Sequence, residues 1–137
     1  RMQLAGYRVR VVPQSTVYHL GGGTLQTDSP TKVFYNHRNN LAMLYKCTST
    51  GQRLYVAVAR PALDLLAAFS YLVQGRGDNF RAVFRAYRDF FRWHKMLSRK
   101  RRTIRATRKG SAAEHIYRGS VVLRYLFGRR TFAKMMP

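Results

Sequence analysis

Acidic residues are scarce in this chain: five Asp and Glu stand against 26 Lys and Arg in 137 residues. So few carboxylates leave little scope for a paired acid/base site or an all-oxygen metal cage. A single cysteine, Cys47, excludes an internal disulfide and a multi-cysteine zinc site. The most apolar stretch, Leu54–Gln74, is interrupted by Arg60, Pro61 and Asp64. It therefore lacks an uncharged run of roughly 18 residues, and a simple transmembrane helix is not expected there. A starting Met and a signal peptide are also missing, which suggests the C-terminal part of a longer protein.

What is present is positive charge and apolar mass. The net charge is +21, with 46% hydrophobic and 13% aromatic residues. Apolar content of that size can build a core, so wholesale disorder is excluded. The charge points to a polyanion: nucleic acid, an anionic membrane surface or phosphorylated ligands. It is also uneven. Residues 61–137 hold 18 of the basic residues, and Lys95–Lys109 alone holds 8 with no acid.

Arg1–Ala5 reads as the last turn of a helix closed by Gly6 at positive φ. Tyr7–Val12 alternates as a strand does, Pro13 marks its end, and Ser15–Leu20 reads as a second short strand. Ser29-Pro30 is a helix start, with Ser at the N-cap and Pro at the first position. That helix is expected to reach Cys47, with Val33, Phe34, His37, Leu41, Leu44 and Tyr45 on one side. Thr48–Gln52 reads as a loop. Leu63–Val73 is long enough for a buried or interfacial helix, broken by Gly75-Arg76-Gly77. Asn79–Leu97 is strongly amphipathic: Phe80, Val83, Phe84, Tyr87, Phe90 and Phe91 form an apolar arc beside Arg81, Arg85, Arg88, Arg92 and Lys95. The basic run beyond it either extends this helix or is a solvated arm. The expected fold class is α+β, mostly α, with a short N-terminal strand pair followed by amphipathic helices.

Chemistry concentrates at a few positions, each with a plainer alternative. His19 closes a strand and precedes Gly21-Gly22-Gly23, where a ligand can approach the backbone and N–H groups can face phosphate. It is a metal or diphosphate contact, or a core histidine beside a turn. Lys32, Asn36 and Asn39 share a polar stripe that serves a diphosphate or simply faces solvent. Arg38, at the apolar border, is a ligand-serving charge or a snorkelling surface residue. His37, His94 and His115 lack ligand-like spacing and read as structural, and Cys47 as inert. Phe80, Phe84, Tyr87 and Phe91, with Arg81, Arg85, Arg88 and Arg92, read as a membrane-facing surface or as a core face with a basic rim. No zinc-finger spacing, RNA-recognition motif or helix-turn-helix accompanies the charge.

Several segments in order resemble a known family. RMQLAGYRVRVVPQSTVYHLGGGTL (Arg1–Leu25) carries a helix end of the L-x-G-Y kind, a strand and a V-x-H-x-x-G turn. PTKVFYNHRNNLAMLYK (Pro30–Lys46) is similar to a K-x-x-x-x-x-R-N-x-L-x-x-L-x-K helix. Asp64–Arg92 looks like a membrane-proximal helix pair joined at Gly, and Ile116–Phe132 like a family ending. Together they resemble the C-terminal part of bacterial family 2 glycosyltransferases, rhamnosyltransferase-like members above all. The resemblance implies the end of a GT-A catalytic domain over residues 1–50, acceptor side, and a basic membrane-associating extension over residues 51–137. It implies a hexosyltransferase active as the full-length protein, with a nucleotide-sugar donor, a divalent metal (Mg or Mn) and a glycan or lipid-linked acceptor in cell-surface polysaccharide synthesis. The place would be the cytoplasmic face of the bacterial inner membrane. His19, Gly21, Gly22, Lys32, Arg38 and Asn39 match the binding motifs, with His19 a possible metal contact. The D-x-D and base-bearing motifs would precede Arg1, so this segment alone is expected to be inactive. A nucleic-acid-binding module and a non-catalytic membrane-surface adaptor are the alternatives.

Overall fold

The computed structural model describes residues 2–10, 12–18, 26, 29–110 and 127. Four α-helices dominate: α1 (Pro30–Cys47), α2 (Thr50–Val73), α3 (Gly77–Arg92) and α4 (His94–Ala106). The described residues are mostly helical, as the apolar periodicity of the sequence suggests. The two expected strands lie partly in residues 7–10 and 12–18, and those residues carry no strand; Tyr7, Val9, Val12, Val17 and Tyr18 are exposed there.

Each helix end has a local cause. Ser29 accepts the Lys32 backbone N–H, and Pro30 occupies the first position of α1, where its missing N–H costs nothing. Thr48 and Ser49 form the whole α1–α2 link. Ser49 and Gln52 cap α2 reciprocally: the Gln52 N–H donates to Ser49 Oγ and the Ser49 N–H to Gln52 Oε1. This capping box moves the start of α2 to Thr50, well ahead of the Leu63 expected from hydropathy. Pro61 sits inside α2. Gly75, at φ +72°, closes α2 and reverses the chain into α3.

The amphipathic segment expected over Asn79–Leu97 is two helices. Trp93 separates them, its N–H still bonded to the Asp89 carbonyl. The bend lets α4 fold back beside α1, where Tyr45 Oη meets His94 Nε2 at 3.1 Å and Ser98 Oγ at 2.8 Å. The basic run is therefore an ordered helix packed on α1.

Val33, Ala68, Ala82 and Val83 form the centre of the core, with Phe34, Tyr71, Phe80 and Tyr87 packed around them. The alanines bring α2 and α3 close, while α1 packs chiefly on α3. Leu41, Ala42 and Leu97 extend the buried side toward α4. The boundary expected near residue 50 thus falls in the α1–α2 link, between helices that share this core. The N-terminal turn Gln3–Ala5 ends at Gly6, φ +88°, as its sequence suggests. It is tied to the far end of α4, with Lys109 and Gly110 donating to the Leu4 carbonyl at 2.9 and 3.2 Å. A Cβ at Gly110 would stand 2.8 Å from the Gln3 carbonyl oxygen, so glycine permits this approach.

Candidate functional site

The charges that interrupt the apolar stretch face inward. Asp64 is 3% exposed. Arg60, one turn earlier on α2, holds it with two contacts, Nη2 to Oδ1 at 2.8 Å and Nε to Oδ2 at 3.0 Å. Tyr87 from α3 donates its hydroxyl to Oδ2 at 2.7 Å. From α1, His37 Nδ1 stands 2.9 Å from Oδ1, at ion-pair distance though poorly aligned for a hydrogen bond. Burial alone would raise the Asp64 pKa. The close His37 ring, the bonds from Tyr87 and Arg60, and the Arg60 charge outweigh it and hold the carboxyl below its usual range. The same cluster pushes the Tyr87 hydroxyl up, through burial first and then the Asp64 bond and charge. A carboxylate with this many donors pins three helices together and does not act as a base.

With Arg60 and Asp64 turned in, the outer side of α2 is apolar along its length. Leu54, Tyr55, Val58, Leu65, Leu66, Phe69, Leu72 and Val73 are all exposed. The helix is long and apolar enough to cross a membrane by length and composition, and only 11% of its most apolar window is buried. The sequence expectation rested on counting its charged residues; the fold shows where they point.

The expected aromatic surface of α3 is divided. Phe84 and Phe91 are exposed, at 46% and 66%, and continue the α2 surface. Phe80 and Tyr87 turn inward, Phe80 between Phe69 and Phe84 and Tyr87 to Asp64. Arg81, Arg85, Arg88 and Arg92 are exposed, with Arg81 and Arg92 near Asp78 and Asp89.

Among the expected ligand-binding residues, Arg38 and Asn39 meet each other. The Arg38 guanidinium donates to Asn39 Oδ1 from Nε and Nη2 at 3.2 and 3.1 Å. It also stacks 4.4 Å from the Trp93 ring centroid, with Tyr35 and Phe34 at 4.8 and 5.0 Å. This arrangement clamps α1 to the α3–α4 bend. Lys32 lies in the first turn of α1, half-buried, and Asn36 is exposed. His19, Gly21 and Gly22 lie outside the described residues, as do His115 and the segment Ile116–Leu126. Among the described residues, no three of His, Cys, Asp and Glu gather as metal ligands, so these residues do not supply a site for the implied divalent ion.

Two features escaped sequence reasoning. A groove of about 740 Å³ runs between the first half of α2, the second half of α1 and the end of α3. At the α1–α2 link, Arg53, Arg101 and Arg105 come close enough for their charges to act on one another. The S-x-x-Q box at Ser49 would have placed the helix start that carries Arg53. The groove has no local signature, because it arises where α2 diverges from its neighbours. Comparison with protein families, with curated proteins and with solved structures finds no match.

Proposed function

We propose that this chain is the C-terminal, membrane-facing part of a glycosyltransferase resembling family 2. Such an enzyme would move a sugar from a nucleotide-sugar donor to a glycan or lipid-linked acceptor at the cytoplasmic face of a bacterial inner membrane. One observation carries the membrane reading: α2 turns its charges inward and leaves a continuous apolar face exposed, in a chain of net charge +21. Phe84 and Phe91 extend that face, and the arginines of α3 and the basic side of α4 lie within the same bundle to meet lipid phosphates. In this reading α2 lies in the interface and does not span it.

The catalytic half of the reading rests on the ordered motifs. His19, Gly21 and Gly22 would meet the donor diphosphate, with Lys32 nearby. The strand pair expected over Tyr7–Leu20 would be completed by an upstream catalytic domain, which would also supply the metal site and the base. The packing of Arg38 and Asn39 supports a positioning role for both, holding α1 against the α3–α4 bend.

Co-sedimentation with phosphatidylglycerol vesicles tests the membrane reading. Binding should weaken on raising NaCl to about 0.5 M yet persist, because the apolar contribution is not screened. The exposed basic side of α4 favours a second reading, nucleic-acid binding. Absence of vesicle binding, together with duplex binding that falls steeply with salt, would replace the first reading with this one.

A further inference from the structure

The groove and the arginine cluster adjoin. The surface that the groove exposes is almost wholly apolar, with Leu41, Leu54, Ala57, Pro61 and Phe91 among its lining residues. Its volume falls within the range of pockets that enclose whole small ligands. At the α1–α2 link its lining changes to Thr48, Thr50, Gly51 and Arg53. Arg105 Nη2 donates to Thr50 Oγ1 at 2.9 Å, which brings a second guanidinium to the same end.

Arg101 supplies an independent observation. It is 5% exposed, and Nη1 donates to the carbonyl of Tyr45, itself a lining residue of the groove. Its Nε and Nη2 are buried without an acceptor. Two unsatisfied donors on a buried cation are costly unless an anion or acceptor meets them. The charges acting on Arg101 most strongly are those of Arg105 and Arg53, both positive. The first turn of α2 holds no acid and contributes the positive end of its dipole. A side chain at Gly51 would find open space, so a ligand can approach the backbone there. Apolar groove and uncompensated positive end together match one kind of molecule.

We propose that this groove binds a single-chain lipid phosphate, its phosphate at the exposed Arg53 and Arg105 with the buried Arg101 charge behind them, and its hydrocarbon chain between α1, α2 and α3. Arg53 and Arg105 are exposed and supply the reachable donors. Arg101 adds a desolvated charge whose attraction is strengthened by its surroundings. The inference rests on the membrane reading, since such a ligand would be drawn from a bilayer, but the two fail separately.

The test is calorimetric titration of the chain with oleoyl lysophosphatidate below its micelle concentration, with monooleoylglycerol and inorganic phosphate as the separate halves. Lysophosphatidate should bind at least about tenfold more tightly than either, the expected scale for charge-assisted hydrogen bonds. The double substitution Arg53→Gln and Arg105→Gln should erase its advantage over monooleoylglycerol. Ala57→Trp, at an exposed position, should weaken both lipids. Equal affinity for the two lipids, or no effect of Ala57→Trp, would each overturn the site. Lysophosphatidate binding in a chain that ignores phosphatidylglycerol vesicles would keep the site and remove the membrane reading.

Discussion

Asp64 takes contacts from three helices, and its removal should be felt at once. Asp64→Ala leaves Arg60 without its partner and Tyr87 without its acceptor. The cost should be about 3 kcal/mol, at the low end for a broken buried pair because Arg60 is partly exposed and can turn to water. Urea denaturation, read as a lower midpoint at unchanged slope, measures it. The pH dependence has a definite sign. The folded-state pKa of Asp64 lies below its ordinary value of 3.8, so the unfolded chain takes up this proton first. The stabilisation is complete above the unfolded value and is lost as pH falls through the folded one. Tyr87 is shifted upward, so its contribution is present below its ordinary value of 10 and fades at higher pH. Asp64→Asn should flatten the acid limb of a plot of stability against pH.

At the scale of the element, α2 separates two roles that composition alone merges. Leu66 and Phe69 are 68% and 57% exposed, while Ala68 beside them is fully buried. Leu66→Ser with Phe69→Ser should leave the thermal transition nearly unchanged. Each side chain would withdraw about 1.5–3 kcal/mol of interfacial burial, so vesicle binding should fall more than tenfold. Phe80→Ser should do the reverse, lowering the transition because Phe80 packs against the core. The sequence made α1 legible end to end, since Ser29-Pro30 and the apolar spacing from Val33 to Tyr45 agree with one another. It made Gly6 and the Gly75 break legible for the same local reasons. It hid the first half of α2, whose start depends on the Ser49–Gln52 pairing. It also hid the direction of Arg60 and Asp64, because a count of charges carries no information about their partners. Trp93 was hidden too: the bend there is stabilised by Arg38, 55 positions away in the chain.

At the scale of the whole molecule, basic helices and an exposed apolar face belong to one bundle. The groups described here bind and position; none is arranged to deprotonate an acceptor. The 137-residue chain should therefore show no sugar transfer from nucleotide-sugar donors, tested by product formation with a membrane extract as acceptor source. Turnover at an enzymatic rate would remove the reading that places the base upstream. The candidate donor contacts were legible in the sequence only as motifs around His19 and Lys32. The exposed apolar face of α2 and the arginine cluster required the fold, because their residues meet through the packing of α1, α2 and α4.

The divergence of α2 from its neighbours has a consequence for how the helix breathes. Beyond Pro61, Asp64 and Ala68 tie α2 to α1 and α3, whereas its first three turns border the groove. Pro61 also has no N–H to return to the Ala57 carbonyl, so the ladder of backbone bonds is interrupted between the two halves. Amide protons of residues 53–60 should therefore exchange with deuterium through local fraying, while those of residues 65–72 wait for the bundle to open. A lipid chain seated in the groove would slow the first group and leave the second nearly unchanged.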